Sequence, residues 1–137
     1  MKKILISDNL DPRCVEIFKE NNIQADLKPG LSKEELLNVI GGYNGLIVRS
    51  ATQVTAEVIE KGVNLEVVGR AGTGIDNIDV NAATRKGVLV MNTPGGNTIS
   101  AAEHTFALMM SLCRNIPQGD RTMKEGKWER KNLSGCE

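Results

Sequence analysis

The chain has no excess of either charge. Lys plus Arg and Asp plus Glu number 17 each in 137 residues. No global field therefore favours nucleic acid or an anionic membrane surface. Histidine is nearly absent, and His104 alone would titrate near neutrality without help from its surroundings. The cysteines, Cys14, Cys113 and Cys136, are odd in number and far apart, with no C-x-x-C or metal-ligand spacing. That argues against a disulfide framework or a metal centre and for idle thiols in a reducing, cytoplasmic compartment. Long apolar runs are missing too. "FALMMSLC" follows Glu103 and His104 and is too short to span a bilayer. "MKKILISDNL" carries two lysines but too little apolar sequence for a signal peptide. Neither a repeat nor a low-complexity segment breaks the pattern.

What is present is an alternation of short apolar runs and amphipathic stretches. "KILIS" (3–7), "QADLK", "GLIVRS", "LEVVGR" and "VLVMN" read as five strands. Between them lie four helical stretches. Asp11 and Pro12 suit the start of the first. Ser32 and Glu35 form a capping box on the second, which stops at Gly41-Gly42. Thr55 opens the third, and Gly87 closes the fourth. Short strands separated by helices predict an α/β fold with a flavodoxin-like open parallel sheet, covered on both faces. The other doubly wound strand order is the rival. After residue 97 the texture changes. "TISAAEHTFALMMSLCRNIPQ" is a longer helical stretch with a second capping box, Ser100 to Glu103, and apolar residues round most of its circumference. That pattern predicts burial on more than one side. Pro117 ends this helix or restarts another. The polar tail has Trp128 as its only large apolar anchor.

"GRAGTGIDNID" (69–79) looks like a nucleotide loop and fails as one. A dinucleotide fingerprint places G-x-G-x-x-G after the first strand of its unit and an acidic residue at the end of the next strand. Here Asn77 stands at the third glycine position, the loop follows the fourth strand, and "VLVMN" runs into Thr93. A tight turn with positive φ would explain the glycines by itself. A second explanation is chemical. Ligands of open α/β sheets sit beyond the carboxyl ends of the strands, where Arg49-Ser50, Arg70 and Asn92 gather, with Asn97 beyond. Two arginines at adjacent strand ends repel unless an anion or carboxylates stand between them. With free N–H groups at 71–74, the stretch describes a small-anion site. The alternative is that the arginines pair with local acids such as Asp76.

"NTPGGNTISAAE" is either a loop stiffened by Pro94 and loosened by Gly95-Gly96 or a hinge that offers the Asn97 amide to a ligand. His104 reads as a packing residue, since no nucleophile is placed to use it.

"GLIVRSATQVT", "VVGRAGTGIDNIDVNAATRKGVLVMNTPGGNTISAAEHT" and "MKEGKWERK" closely resemble the NAD-dependent D-2-hydroxyacid dehydrogenases, and within them the serine-biosynthetic 3-phosphoglycerate dehydrogenases. The resemblance covers the whole chain. It implies a substrate-binding domain at 1–97, then the hinge, first helix and arm of a truncated Rossmann domain at 98–137. The pyrophosphate loop and the family's catalytic Arg, Glu and His would lie further on, so no catalytic residue and no metal site is expected here. It implies that Arg49 and Arg70 hold the phosphate of 3-phosphoglycerate, that Ser50 and Asn97 donate hydrogen bonds, and that the N–H groups of Ala71 and Gly72 hold the carboxylate. Thr73 would meet the nicotinamide end of NAD. The 100–131 helix and arm would join a homo-oligomer, with Arg130 or Lys131 reaching the neighbouring site. A corepressor of the same family, or a free-standing phosphate-binding module, would share the pattern.

Overall fold

The computed structural model describes residues 1–136. They divide into two compact units, Met1–Gly96 and the residues from Asn97 onward.

The first unit is a five-stranded parallel sheet: β1 (Lys3–Ile6), β2 (Gln24–Leu27), β3 (Gly45–Val48), β4 (Val67–Arg70) and β5 (Leu89–Asn92). The order β2-β1-β3-β4-β5 is the flavodoxin-like one. The connecting helices are α1 (Arg13–Glu20), α2 (Lys33–Val39), α3 (Ala56–Lys61) and α4 (Val80–Lys86). Their ends follow local chemistry. Ser32 and Glu35 exchange the reciprocal bonds of a capping box at α2. Asp79 caps α4 by accepting from the Ala82 N–H at 2.8 Å. Gly87 ends α4 at φ 74°, a left-handed conformation that costs glycine no Cβ strain. Thr55 precedes α3 without a side-chain capping bond.

One sheet face is closed and the other is not. Leu5, Leu46, Val48 and Val68 pack in one cluster with Leu36, Ile40, Val58, Ile59, Ala82 and Ala83, which belong to α2, α3, α4 and the turn after α2. Along each strand the alternate residues face away from that cluster. There Leu89 and Met91 of β5 are 59 % and 54 % exposed. Ile4, Phe18, Ile47, Val67, Gly69 and Met91 line an open apolar groove of about 390 Å³. Coverage of both faces was expected and is not found at β4 and β5. Neighbouring packing runs from α2 to α3 to α4, whereas α1 packs beside β2.

The second unit holds α5 (Thr98–Cys113), α6 (Ile116–Lys124) and a 3₁₀ turn at Arg130–Asn132. Pro117 does restart a helix, in the first turn of α6. The expected Ser100–Glu103 capping box does not form. Asn97 is the N-cap residue and its carbonyl accepts from the Ala101 N–H at 2.9 Å, so Ser100 already lies inside the helix. Nor is α5 buried: Ile99, Phe106, Leu108, Met109 and Leu112 are exposed, as is Trp128 in the tail. None of the described helices is long and apolar enough to cross a membrane.

Candidate anion site at the ends of β3 and β4

In the β3–β4 ladder Val48 stands opposite Arg70. Arg49 therefore leaves β3 beside Arg70, and the two arginines share the carboxyl edge of the sheet. Their environments differ. The Arg70 side chain is 11 % exposed. Its Nη1 donates to Asp76 Oδ1 at 2.6 Å and its Nε donates to the Arg49 carbonyl at 3.2 Å. The Arg70 hydrogen bond holds the exposed Asp76 carboxyl below its ordinary range. Arg49 is exposed, and its guanidinium has no ion pair among the described residues. Pairing with a local acid thus holds for Arg70 alone.

The loop after β3 is fastened from beneath. Asp8, just past β1, is 4 % exposed. Its Oδ2 accepts from the Arg49 N–H at 2.6 Å, and its Oδ1 accepts from the Thr52 N–H at 3.2 Å and the Thr52 hydroxyl at 2.6 Å. Since the Thr52 hydroxyl donates to Asp8, its 3.0 Å contact with Ser7 leaves Ser7 as the donor. Burial would raise the Asp8 carboxyl. Hydrogen bonds from the Thr52 hydroxyl and from the N–H groups of Arg49, Thr52 and Ala51 outweigh burial and lower it. From the other side, Asn77 Nδ2 donates to the carbonyls of Arg49 at 2.8 Å and Thr52 at 2.7 Å. Two carbonyl partners fix the amide orientation, because a flip would set oxygen against oxygen. The buried Asn77 Oδ1 is left with no partner. A parallel bridge between Val54 and Ile78 continues the pairing of the two loops. Ser50 is exposed at the loop crest.

The loop after β4 departs from the sequence reading in two ways. The N–H groups at 71 and 72 are not free. Ala71 N–H donates to the Val48 carbonyl at 2.8 Å, extending the β3–β4 ladder, and Gly72 N–H donates to the Arg70 carbonyl at 2.9 Å. Both are committed within the protein, so a carboxylate cradle from Ala71 and Gly72 would need these bonds to open. Nor do Gly72 and Gly74 adopt positive φ. Gly74 leaves room instead: a Cβ there would lie 2.8 Å from both Arg70 Nη1 and Asp76 Oδ1, so these side-chain ends would have to shift. The glycine lets the guanidinium lie across the loop. Two further bonds brace it, from the Asn92 amide to the Thr73 carbonyl at 2.7 Å and from the Thr93 N–H to the Gly72 carbonyl at 3.0 Å. With its first two N–H groups committed, this loop does not fit a pyrophosphate.

Arg49, Ser50, Arg70, Ala71, Gly72 and Thr73 thus share one edge of the first unit. Asn97 belongs to the second unit. Asp8 and Asn77 were missed as site residues. The usable signal for Asp8 was an acid directly after a short apolar run, "LISD", where a carboxylate must find donors nearby.

A family model for the catalytic domain of D-isomer specific 2-hydroxyacid dehydrogenases matches residues 4–122. The chain belongs to this family. The D-3-phosphoglycerate dehydrogenase of Rattus norvegicus is 58 % identical over 137 residues, all of this chain and 26 % of that protein. The D-3-phosphoglycerate dehydrogenase of Archaeoglobus fulgidus is 49 % identical over 135 residues, 98 % of this chain and 26 % of its own length. Among solved structures, the NAD⁺-bound 3-phosphoglycerate dehydrogenase of Entamoeba histolytica aligns with a TM-score of 0.72 at 30 % identity, over 82 % of this chain and 39 % of that one. The chain spans about a quarter of the length of these curated relatives.

Proposed function

We propose that the chain is the substrate-binding part of an NAD-dependent D-3-phosphoglycerate dehydrogenase, acting in serine biosynthesis. The reaction would oxidise C2 of 3-phosphoglycerate to the ketone of 3-phosphohydroxypyruvate, with hydride passing to NAD. The observation that carries this reading is the exposed Arg49 guanidinium, without an ion pair among the described residues, beside Arg70 on one sheet edge. An unneutralised cation next to a second cation is best stabilised by a dianion. Arg49 would take the phosphate, with Arg70 adding field from behind its bond to Asp76. Ser50 would donate its hydroxyl and Asn97 its amide. Thr73 would meet the nicotinamide end of the cofactor. The residues present supply binding and orientation, a genuine share of a rate enhancement. Acid–base chemistry and the pyrophosphate site are assigned to the length that the relatives have beyond this stretch. Residues 1–97 would form the substrate domain, and 98–137 the hinge, helix and arm. The exposed apolar face of α5 would be covered by a second copy in a homo-oligomer.

The test is binding and turnover on the 137-residue chain. Titration calorimetry should show 3-phosphoglycerate binding more tightly than inorganic phosphate or D-glycerate, while NADH production from NAD and 3-phosphoglycerate stays at background. Equal binding of all three ligands contradicts the substrate reading, and turnover contradicts the division of labour.

A further inference from the structure

The proposed site depends on a loop that is neither strand nor helix. Residues 49–53 have no ladder on either side, yet the backbone of Arg49 is held at both ends. Its N–H is taken by Asp8 at 2.6 Å, and its carbonyl by Asn77 Nδ2 at 2.8 Å and Arg70 Nε at 3.2 Å. Thr52, on the far side of the crest, is held in the same way. Its N–H and hydroxyl go to Asp8, and its carbonyl to Asn77 at 2.7 Å. Asp8 and Asn77 are 4 % and 5 % exposed and lie far apart in sequence. Each spans the same two loop residues, Asp8 through the donors and Asn77 through the acceptors. Everything polar in the loop backbone that they can reach is turned inward, and the Arg49 and Ser50 side chains are left facing solvent.

We infer that Asp8, Thr52 and Asn77 are positioning residues, a clamp that presets the Arg49–Ser50 crest to receive an anion. None of them touches the ligand. The inference rests on the anion-site reading proposed above and adds to it the groups that hold the site in shape. A mobile crest would have to be ordered at the moment of binding and would lose affinity by that amount. A crest ordered beforehand does not, and the clamp spends three side chains on one short loop for that purpose.

Asp8 makes the idea sharply testable, because charge and position predict opposite signs. The Asp8→Asn substitution removes a negative charge near an anion site. Electrostatics alone would then tighten binding of 3-phosphoglycerate. A positioning role weakens it, because an amide nitrogen now faces the donors of Arg49 or Thr52 and the crest is released. We expect about tenfold weaker binding, the scale of a small misplacement of binding groups. Thr52→Val, which keeps the shape and deletes the hydroxyl, should weaken binding in the same sense. Thr52→Ser, which keeps the hydroxyl, should restore the wild-type affinity. Ile59→Val, in the buried core and away from the loop, should lower thermal stability and leave affinity unchanged.

Affinity is read by titration calorimetry with 3-phosphoglycerate, and loop order by amide hydrogen exchange of residues 49–52 without ligand. Weaker binding and faster exchange in Asp8→Asn and Thr52→Val, with Thr52→Ser like wild type, is the expected result. Unchanged or tighter binding in both variants, with wild type binding normally, overturns the clamp and leaves the anion site standing. No binding by wild type overturns both. Should Asp8→Asn fail to fold, the Thr52→Val and Thr52→Ser pair decides alone.

Discussion

One arginine follows β3 and one ends β4, and the two adjoining loops use them differently. After β4 the side chain builds the loop: Arg70 is nearly buried, bonds Asp76 and the Arg49 carbonyl, and lies over a glycine that makes room for it. After β3 other residues build the loop. Asp8 and Asn77 hold the backbone, and the Arg49 side chain is left exposed and without an ion pair among the described residues. Two equal cations in the sequence become one structural group and one group available to a ligand. A motif read as a symmetric pair of phosphate binders is asymmetric once partners are counted.

The largest expected effect is on the structural member. Arg70→Ala removes the bonds to Asp76 and the Arg49 carbonyl together and loosens both loops. We expect a loss of about 1–3 kcal/mol of stability, credited to the lost hydrogen bonds and packed stem and not to the exposed ion pair. Binding of 3-phosphoglycerate should fall with it. Denaturant unfolding beside calorimetry checks both, and a stable Arg70→Ala chain would break the comparison. Gly74→Ala should act more mildly. Its new Cβ would displace the Arg70–Asp76 contact, with a cost of about 1 kcal/mol. If that substitution is neutral, the glycine serves something other than the guanidinium. The smallest effect belongs to Asp76→Asn. Removing this exposed charge weakens the hold on Arg70 Nη1 and takes a negative charge away from the site, and should tighten binding of 3-phosphoglycerate about two- to fivefold, the range of an exposed ion pair. Weaker binding there would mean that Asp76 orients Arg70 for the ligand instead of competing with it.

What the sequence showed divides by the range of the interaction. The α2 capping box and the Gly87 stop are local signals, and both appear where residue chemistry places them. The alternation of short apolar runs with helices pointed to an open parallel sheet and left two doubly wound strand orders open, of which the flavodoxin-like one is found. The Arg70–Asp76 pair was visible as an alternative because six positions separate the partners. Asp8 was not visible as a site residue, because its partners lie 41 and 44 positions away and only the β1–β3 pairing brings them together. The N–H groups of Ala71 and Gly72 were misjudged for a related reason. The Ala71 donor is taken because the ladder continues one residue past the strand, and the Gly72 donor because the chain turns back onto the Arg70 carbonyl; the sequence carries neither. Burial of α5 was read from its apolar circumference, but such a pattern states that a partner is needed without stating which segment supplies it.

The central claim is that Arg49 is the cation that takes the substrate phosphate. Its most direct test is a double comparison by titration calorimetry: wild type and Arg49→Ala, each with 3-phosphoglycerate and with D-glycerate. A charge-assisted hydrogen bond contributes about 1.5–3 kcal/mol, so the substitution should weaken 3-phosphoglycerate binding roughly tenfold to a hundredfold. Binding of D-glycerate, which lacks the phosphate, should change less than about threefold, as for an exposed charge with no specific partner. Equal losses on the two ligands would contradict the claim and place Arg49 on the carboxylate or on the fold.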